Sequence, residues 1–323
     1  MQIDDLRPNE TIAASVVKEM TSEQVVSASR MATGDQNFVF SVKTTSAEYV
    51  IRMTDINHKY KFQCATTWQK MLLPLGVPLA EFIKSDLDGK YSPFPTLLMM
   101  RLPGDDLINI YPYLTDVDKK NLANEMVSIQ ALCTRLPEGP CYGILDSYDV
   151  VTTDNSWVGN TWYEFLLKRL EQCRVMITKL AVFNPHLATQ VMHIAKDMQE
   201  NLDKVRPTAF LWDASERNVI INHGKISGIV DVDEICFGDP LFVIALTSTC
   251  LEFESFDTLY TDYWAAALHL DQSAQARLNF YRLFYAIAFM RKHLMQTTNS
   301  KKTIFDTEKL MYIFQQSLAR TNI

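Results

Sequence analysis

The amino-acid sequence predicts an α+β protein of two lobes, with a small N-terminal antiparallel-sheet lobe and a larger, mainly helical C-terminal lobe. Strand-like alternation of apolar and polar residues is concentrated in the first third of the chain. Beyond Gly104, long segments instead carry apolar residues at three- and four-residue spacing, as amphipathic helices do. The 323 residues are enough for two sizeable cores.

The first lobe is assigned to residues 1–103 and starts with a segment of helical spacing, ETIAASVVKEM. Two segments with strand-like alternation follow, EQVVSASRM and FVFSVKTTSAEYVIRM, and the polar turn TTSAE predicts an antiparallel hairpin from Phe38 to Met53. KYKFQCATTWQKMLLPLG predicts a helix that is stopped by Pro74 and Gly76. The apolar run PTLLMMRL predicts a buried strand that leads out of the lobe.

The second lobe is assigned to residues 104–323 and is predicted to be built from long helices. One hairpin interrupts them, and the joint between the lobes lies near Arg101 to Gly104. A cleft between two lobes is a common place for a ligand. The predicted helices are VDKKNLANEMVSIQALCTRL, WYEFLLKRLEQCRVMITKL, LATQVMHIAKDMQENLDKV and ARLNFYRLFYAIAFMRKHLM.

Composition excludes several classes of protein. A net charge of −7 without a basic cluster argues against nucleic acid as a partner. The acidic start MQIDDLRPNE does not resemble a secretory signal, and no apolar run is long enough to cross a membrane. The six cysteines form no CxxC pair, so they are expected to be reduced. We therefore expect a soluble cytoplasmic protein, and its oligomeric state cannot be read from the sequence.

Polar side chains gather around the hairpin in the stretch FLWDASERNVIINHGKISGIVDVDEICFGDP, residues 210–240. NVIIN and KISGIVDV are predicted to pair across a tight turn at His223-Gly224. Antiparallel pairing brings Asn218, at the start of one strand, beside Asp231, at the end of the other, and the preceding loop tethers Asp213 to the same edge. Three oxygen donors at one place suit a hard cation such as Mg²⁺.

This arrangement is typical of a kinase-type phosphoryl-transfer site. Asp213 would accept the proton of the attacking hydroxyl, and Asn218 and Asp231 would bind the metal. The alternative is that these are ordinary turn residues, because Asp and Asn are common at the ends of hairpins. The GDP sequence at 238–240 favours the catalytic interpretation.

The same stretch resembles the catalytic loop and metal-binding strand of the aminoglycoside phosphotransferase family. That family includes kinases of antibiotics and of small metabolites, and it has a bilobal protein-kinase-like fold. Its pattern is H-G-D-x-x-x-x-N, a hairpin, then I-D-W and G-D-P, and the resemblance here extends from about Met31 to Ala245. The corresponding residues are Leu211-Trp212-Asp213, Asn218, Val230-Asp231-Val232 and Gly238-Asp239-Pro240.

The resemblance also implies a nucleotide site. ATGDQNFVFSV resembles the family's nucleotide loop, with Gly34 and Asn37 at the matching positions, and YVIRM places Arg52 where the family has its phosphate-contacting cation. LLMMRLPGDDL resembles the linker between the lobes, which implies that the backbone from Met100 to Leu102 binds adenine. The implied cofactors are ATP, with GTP as the alternative, and Mg²⁺.

Two departures from the family pattern concern the site. Leu211 and Trp212 replace the usual His and Gly, which alters the packing of the loop. The helix expected to offer a Glu to Arg52 has Gln63 and no acid near that position. Either another acid, with Asp55 as the suggestion, pairs with Arg52, or Arg52 depends on nucleotide phosphate alone.

Several other acids have two interpretations. Asp233 either assists the metal or is a hydrogen-bonded turn carboxylate, and Asp239 is expected to cap the following helix. The segment LEFESFDTLYTDYW could line a pocket for a cationic substrate, but an amphipathic helix with a solvated acidic face is the favoured interpretation. Its acids are Glu252, Glu254, Asp257 and Asp262.

These observations predict an ATP- and magnesium-dependent kinase that phosphorylates a hydroxyl group of a small molecule, either an antibiotic or a metabolite. The alternative is a non-catalytic relative that binds a nucleotide or metabolite. A serine-hydrolase interpretation has no support, because the sequence contains no G-x-S-x-G motif. The sequence does not identify the phosphate acceptor.

Overall fold

A computed structural model describes residues 7–31, 38–149, 157–299 and 306–321, with only the backbone for 295–299. The first third of the chain forms a five-stranded antiparallel sheet in the order β1-β2-β3-β5-β4. Two helices accompany this sheet. The elements are α1 (Glu10–Thr21), β1 (Val25–Arg30), β2 (Phe38–Thr44), β3 (Glu48–Met53), α2 (Lys59–Leu72), β4 (Phe82–Asp86) and β5 (Thr96–Met100).

The hairpin predicted from Phe38 to Met53 is present, with Phe38 opposite Met53 and Lys43 opposite Glu48. Helix α2 is followed by a single 3₁₀ turn (Leu73–Leu75) that ends at Gly76, which adopts the left-handed conformation that glycine tolerates best (φ 88°). Strand β4 was not predicted. It is an edge strand with mostly exposed side chains, so it lacks clear alternation of buried and exposed residues.

The sheet is covered by a helix on each face. Residues of α1 such as Val16 and Val17 pack with Phe40 and Val42 of β2 in one buried cluster. Phe62 of α2 packs with residues of β5 in a second cluster. Further along α2, Trp68 and Leu72 belong to the large core of the second lobe. Helix α2 therefore connects the sheet to the helical part of the protein.

The second part of the chain is mainly helical, which confirms the predicted fold class. Two small antiparallel sheets accompany the helices, in the orders β11-β10-β6 and β8-β7-β12-β9. The elements are β6 (Asp105–Asp106), α3 (Leu107–Ile110), α4 (Asp116–Cys133), β7 (Tyr142–Leu145), β8 (Val158–Gly159), α5 (Trp162–Leu180), α6 (His186–Asp197), α7 (Gln199–Leu202), β9 (Thr208–Phe210), β10 (Val219–Asn222), β11 (Lys225–Ile229), β12 (Ile235–Gly238), α8 (Leu241–Phe253), α9 (Leu259–Ala267), α10 (Gln272–Asn299) and α11 (Thr307–Thr321).

Two details differ from the sequence prediction. The hairpin β10–β11 is not the only interruption of the helices, because the four-stranded sheet built on β7 and β12 was missed. Its strands have two to four residues, too few to show a period. The helix predicted from LATQVMHIAKDMQENLDKV is divided at Met198 into α6 and α7. Within the described ranges, no helix combines the length and apolarity needed to span a bilayer.

Candidate active site

The hairpin forms as its turn residues predict. His223 and Gly224 both have positive φ, 49° and 75°, which matches the twist of a two-residue turn. Val219 lies opposite Ile229, and the backbone N–H of Val230 donates to the carbonyl of Asn218 over 2.9 Å. The start of β10 and the end of β11 therefore lie at one edge.

Two hydrogen bonds hold Asp213 in place next to this edge. The Asn218 amide nitrogen donates to the backbone carbonyl of Asp213 over 2.9 Å, and the Ser215 hydroxyl donates to its carboxylate over 3.0 Å. Burial raises the pKa of Asp213 to about 7, the Ser215 hydrogen bond opposes this shift, and the negative charge of Asp231 adds to it. The structure thus brings Asp213, Asn218 and Asp231 together.

The loop before Asp213 is held by a contact that the sequence analysis missed. Leu211, which stands where the family has His, is buried, and its backbone N–H and carbonyl both bind the side chain of Gln130 on α4, each over 3.0 Å. Gln130 is itself buried. Its position on the apolar face of α4, four residues after Met126, was the available signal, since a polar residue there needs a partner.

Arg52 of β3 is buried and pairs with carboxylates that follow β11. Its two terminal nitrogens donate to the two oxygens of Asp233 over 2.8 and 2.6 Å, and one of them lies 2.9 Å from Asp231. Burial opposes the charge of Arg52, but the carboxylates of Asp233 and Asp231 together outweigh it and raise the pKa of the guanidinium. The suggestion of Asp55 was wrong, because its carboxylate caps a 3₁₀ turn by accepting from the backbone N–H of Asn57.

Helix α2 contributes a cation, Lys61, to the contacts with the second part of the chain. The ammonium of Lys61 lies 2.9 Å from Asp146 and also forms an ion pair with Glu234. Burial opposes the Lys61 charge, yet these two carboxylates raise its pKa. The charges are therefore reversed relative to the expected arrangement, with the base on the helix and the acids in the second part of the chain.

The donors at the hairpin edge fit Mg²⁺. The Asp231 side chain is 52% exposed, and the amide oxygen of Asn218 makes no hydrogen bond to another described residue. Among the described residues, no group of three or more His, Cys, Asp or Glu side chains could hold a metal ion. Mg²⁺ commonly binds one or two carboxylates together with substrate phosphates and water, so this sparse oxygen set is adequate for it.

The predicted adenine-binding backbone lies where the chain leaves β5. The N–H of Met100 donates to the carbonyl of Glu81 over 3.2 Å, whereas the N–H of Leu102 makes no hydrogen bond within the described residues. The Leu102 side chain lies against Gly228, where an added Cβ would be 2.6 Å from its methyl carbon. Gly34 and Asn37, predicted to bind the nucleotide, lie outside the described residues.

The acids of LEFESFDTLYTDYW are not on one amphipathic helix. The segment comprises the end of α8, a turn and the start of α9. Each acid has a basic partner on another element. The pairs are Glu252–Arg320 at 3.5 Å, Glu254–Arg217 at 2.7 Å, Asp257–Lys119 at 2.7 Å and Asp262–Arg282 at 2.9 Å.

Asp239 stabilises the start of α8, as expected from the sequence. Its carboxylate accepts from the backbone N–H of Leu241 over 3.1 Å, from Arg277 over 2.6 Å and from the Tyr281 hydroxyl over 2.9 Å. The preceding Gly238 lies against Trp162, and an added Cβ would be 2.3 Å from that ring. These contacts fix β12 and α8 to α5 and α10 beneath the hairpin.

Comparison with known proteins gives a consistent result. The profile of the phosphotransferase enzyme family matches residues 29–281. A ternary complex of a thermostable mutant of aminoglycoside phosphotransferase APH(4)-Ia with AMP-PNP and hygromycin B has a similar structure (TM-score 0.67, 14% identity, 97% of this chain and 98% of that chain).

Two further similar structures belong to kinases that are named for other acceptors. A putative fructosamine-3-kinase from Haemophilus somnus 129PT has a TM-score of 0.63 at 14% identity, covering 95% of this chain and 96% of that one. Choline kinase LicA from Streptococcus pneumoniae has a TM-score of 0.64 at 11% identity, covering 97% and 98%. No curated protein matches the sequence.

Proposed function

The chain belongs to the phosphotransferase enzyme family and is a small-molecule kinase with a hydroxyl acceptor, and we propose that it uses ATP and Mg²⁺ for this transfer. The observation that carries the proposal is the hairpin edge. There Asp213, Asn218 and Asp231 adjoin one another, and Arg52 of the facing sheet contacts Asp231. The AMP-PNP bound to the similar aminoglycoside phosphotransferase supports ATP as the donor.

In this proposal Asp213 orients the acceptor hydroxyl and takes its proton. A pKa of about 7 is well suited to a general base at neutral pH, because the carboxylate is available and still basic enough to accept a proton. The Ser215 hydrogen bond and the two bonds from Gln130 to Leu211 hold the loop, so the carboxylate keeps its orientation.

Asn218 and Asp231 would hold the Mg²⁺, which when bound neutralises charge on the phosphates. Arg52 aligns Asp231 through its 2.9 Å contact, while its bidentate bond to Asp233 fixes the guanidinium. The N–H of Leu102, which has no hydrogen-bond partner among the described residues, is the donor that we assign to the adenine base.

ADP release from ATP in the presence of Mg²⁺ and a panel of hydroxylated antibiotics and metabolites tests the proposal. We expect acceptor-dependent release that Asp213→Asn lowers by about 10³-fold or more, since general base catalysis and orientation are both lost. Asp203→Asn, at an exposed position, is the matched control and should retain activity. ATP binding without any acceptor-dependent release would instead indicate a non-catalytic relative.

A further inference from the structure

Helices α5 and α10 pack side by side next to the loop that carries Asp213. The Trp162 indole on α5 donates to the hydroxyl of Tyr281 on α10 over 2.7 Å. One turn further along α10, Tyr285 is buried, and its hydroxyl has no hydrogen-bond partner in the described part of the chain. The charges of Asp213 and Arg169 both act on this hydroxyl, so Tyr285 lies near each of them.

Arg169, two turns beyond Trp162 on α5, has an unusual environment for a half-buried cation. Its guanidinium carbon lies 3.5 Å from the ring centroid of Trp157, and one nitrogen donates to the neutral amide of Gln172 over 2.7 Å. No carboxylate of the described residues forms an ion pair with it. Stacking engages the flat face of a guanidinium and leaves N–H groups at its edge available for a planar or tetrahedral oxyanion.

Arg291 of α10 adds a second positive charge beside Arg169. Its Nε is buried without a hydrogen-bond partner, and no ion pair to it exists among the described residues. Burial lowers the pKa of Arg169 to about 10, and the nearby Arg291 charge contributes to this. Among the carboxylates, the charge of Glu234 is the one that favours the charged form of Arg169, but Glu234 already forms an ion pair with Lys61. Neither of these two half-buried arginines therefore has an ion-pair partner among the described residues.

We infer, on the basis of the kinase activity proposed above, that the phosphate acceptor carries an oxyanion group, a carboxylate or a phosphate, bound by Arg169 and Arg291. Its hydroxyl would then reach Asp213, and the Tyr285 hydroxyl, which lies near both Arg169 and Asp213, would hydrogen-bond the body of the acceptor. The four acids first considered for a cationic acceptor, from Glu252 to Asp262, are each paired with a basic residue, which favours an anionic acceptor over a cationic one.

The test compares acceptors that differ only in charge, namely glucosamine, glucose, gluconate and glucose 6-phosphate, and the analogous amine, neutral and acid derivatives of glycerol. We expect kcat/KM for the anionic member of a series to exceed that of the amine at least tenfold. The gluconate and glucose 6-phosphate arms distinguish a carboxylate from a phosphate. A higher kcat/KM for the amine than for both acids would overturn the inference.

Variants locate the effect at the two arginines. Arg169→Gln and Arg291→Gln should each raise the KM for the anionic acceptor at least tenfold and leave the KM for ATP within twofold. Arg174→Gln is the matched control, because Arg174 lies on the same helix and pairs only with Glu171 at the surface. Unchanged acceptor KM values in both arginine variants would contradict the assignment.

The kinase proposal and this inference can fail separately. If no acceptor supports ADP release, the kinase proposal fails, and anion binding is then measured by thermal shift with AMP-PNP and Mg²⁺ present to fill the nucleotide site. A rise in Tm with gluconate or glucose 6-phosphate that is lost in Arg169→Gln supports the oxyanion site. The absence of any rise with these two anions refutes it.

Discussion

Replacing Asp213 by Asn should lower activity by about 10³-fold or more and at the same time stabilise the protein at alkaline pH. Folding raises the pKa of this carboxyl from 3.8 to about 7, chiefly through burial. Between these values the folded protein binds a proton that the unfolded chain does not, so Asp213 lowers the stability progressively as the pH rises from about 4 to about 7. Above pH 7 the loss is complete and constant. An Asn side chain at this position carries no charge at any of these pH values, so the variant does not lose stability in this way.

The magnitude follows from the size of the shift. About three pKa units at about 1.4 kcal/mol each give an upper bound of about 4 kcal/mol for the cost of the ionised carboxylate at pH 8. Asp213 is only partly shielded from solvent, so screening reduces this value. We expect Asp213→Asn to increase the free energy of unfolding by about 1–3 kcal/mol at pH 8, and by clearly less at pH 5.

Urea denaturation of the wild type and the variant at pH 5 and pH 8 measures this difference. Other buried acids titrate in both proteins, so their contributions cancel in the comparison. Asp203→Asn, at an exposed position, is the control and should show no such pH dependence. If the free energies of unfolding of the wild type and the variant differed by the same amount at both pH values, the assignment of a destabilised carboxylate at Asp213 would be refuted. The same carboxyl predicts that kcat/KM rises about tenfold per pH unit below 7.

Three further substitutions test the surroundings of the site. Gln130→Leu should lower the free energy of unfolding by about 2–4 kcal/mol, because the buried N–H and carbonyl of Leu211 lose their partner, and kcat should fall as well. Urea denaturation and steady-state kinetics measure the two effects. An unchanged denaturation midpoint would argue against a stabilising role of the two Gln130 hydrogen bonds. Asp233→Asn should lower the free energy of unfolding by about 3 kcal/mol and raise the KM for ATP, since Arg52 keeps its charge but has a weaker partner. Wild-type values for both quantities would contradict this. Gly238→Ala should reduce Tm by more than about 5 °C in a thermal scan, because the added methyl overlaps the Trp162 ring, and a wild-type Tm would show that the ring can move.

The local part of the site was predictable from sequence. Asn218 and Asp231 are joined by two short strands and a turn whose residues favour positive φ, so the turn alone sets which residues meet. Asp213 is only five residues before Asn218 and could not lie far away. The alternation and helical spacing of the longer elements likewise predicted the fold class, because burial of one face imposes those periods.

The long-range part was not predictable from the same principles. Arg52 and Asp233 are 181 residues apart in the chain, and Lys61 and Glu234 are 173 apart. No local pattern specifies which of many acids a buried cation will meet. The two arginines near Asp213 were missed for a similar reason, since each lies within an ordinary helical pattern. Only the packing of α5 against α10 brings the two arginines together.

The short segment from Asp231 to Glu234 fastens both a strand and a helix of the first sheet. Asp231 and Asp233 hold Arg52 of β3, and Glu234 holds Lys61 of α2. In a protein whose helix supplied the acidic partner of the cation on the strand, an outward movement of that helix alone could inactivate the enzyme. Here the strand cation Arg52 and the helix cation Lys61 are both bound by the same four-residue segment. A shift of these four residues would break both sets of ion pairs together, so we expect the cleft to open in one concerted step.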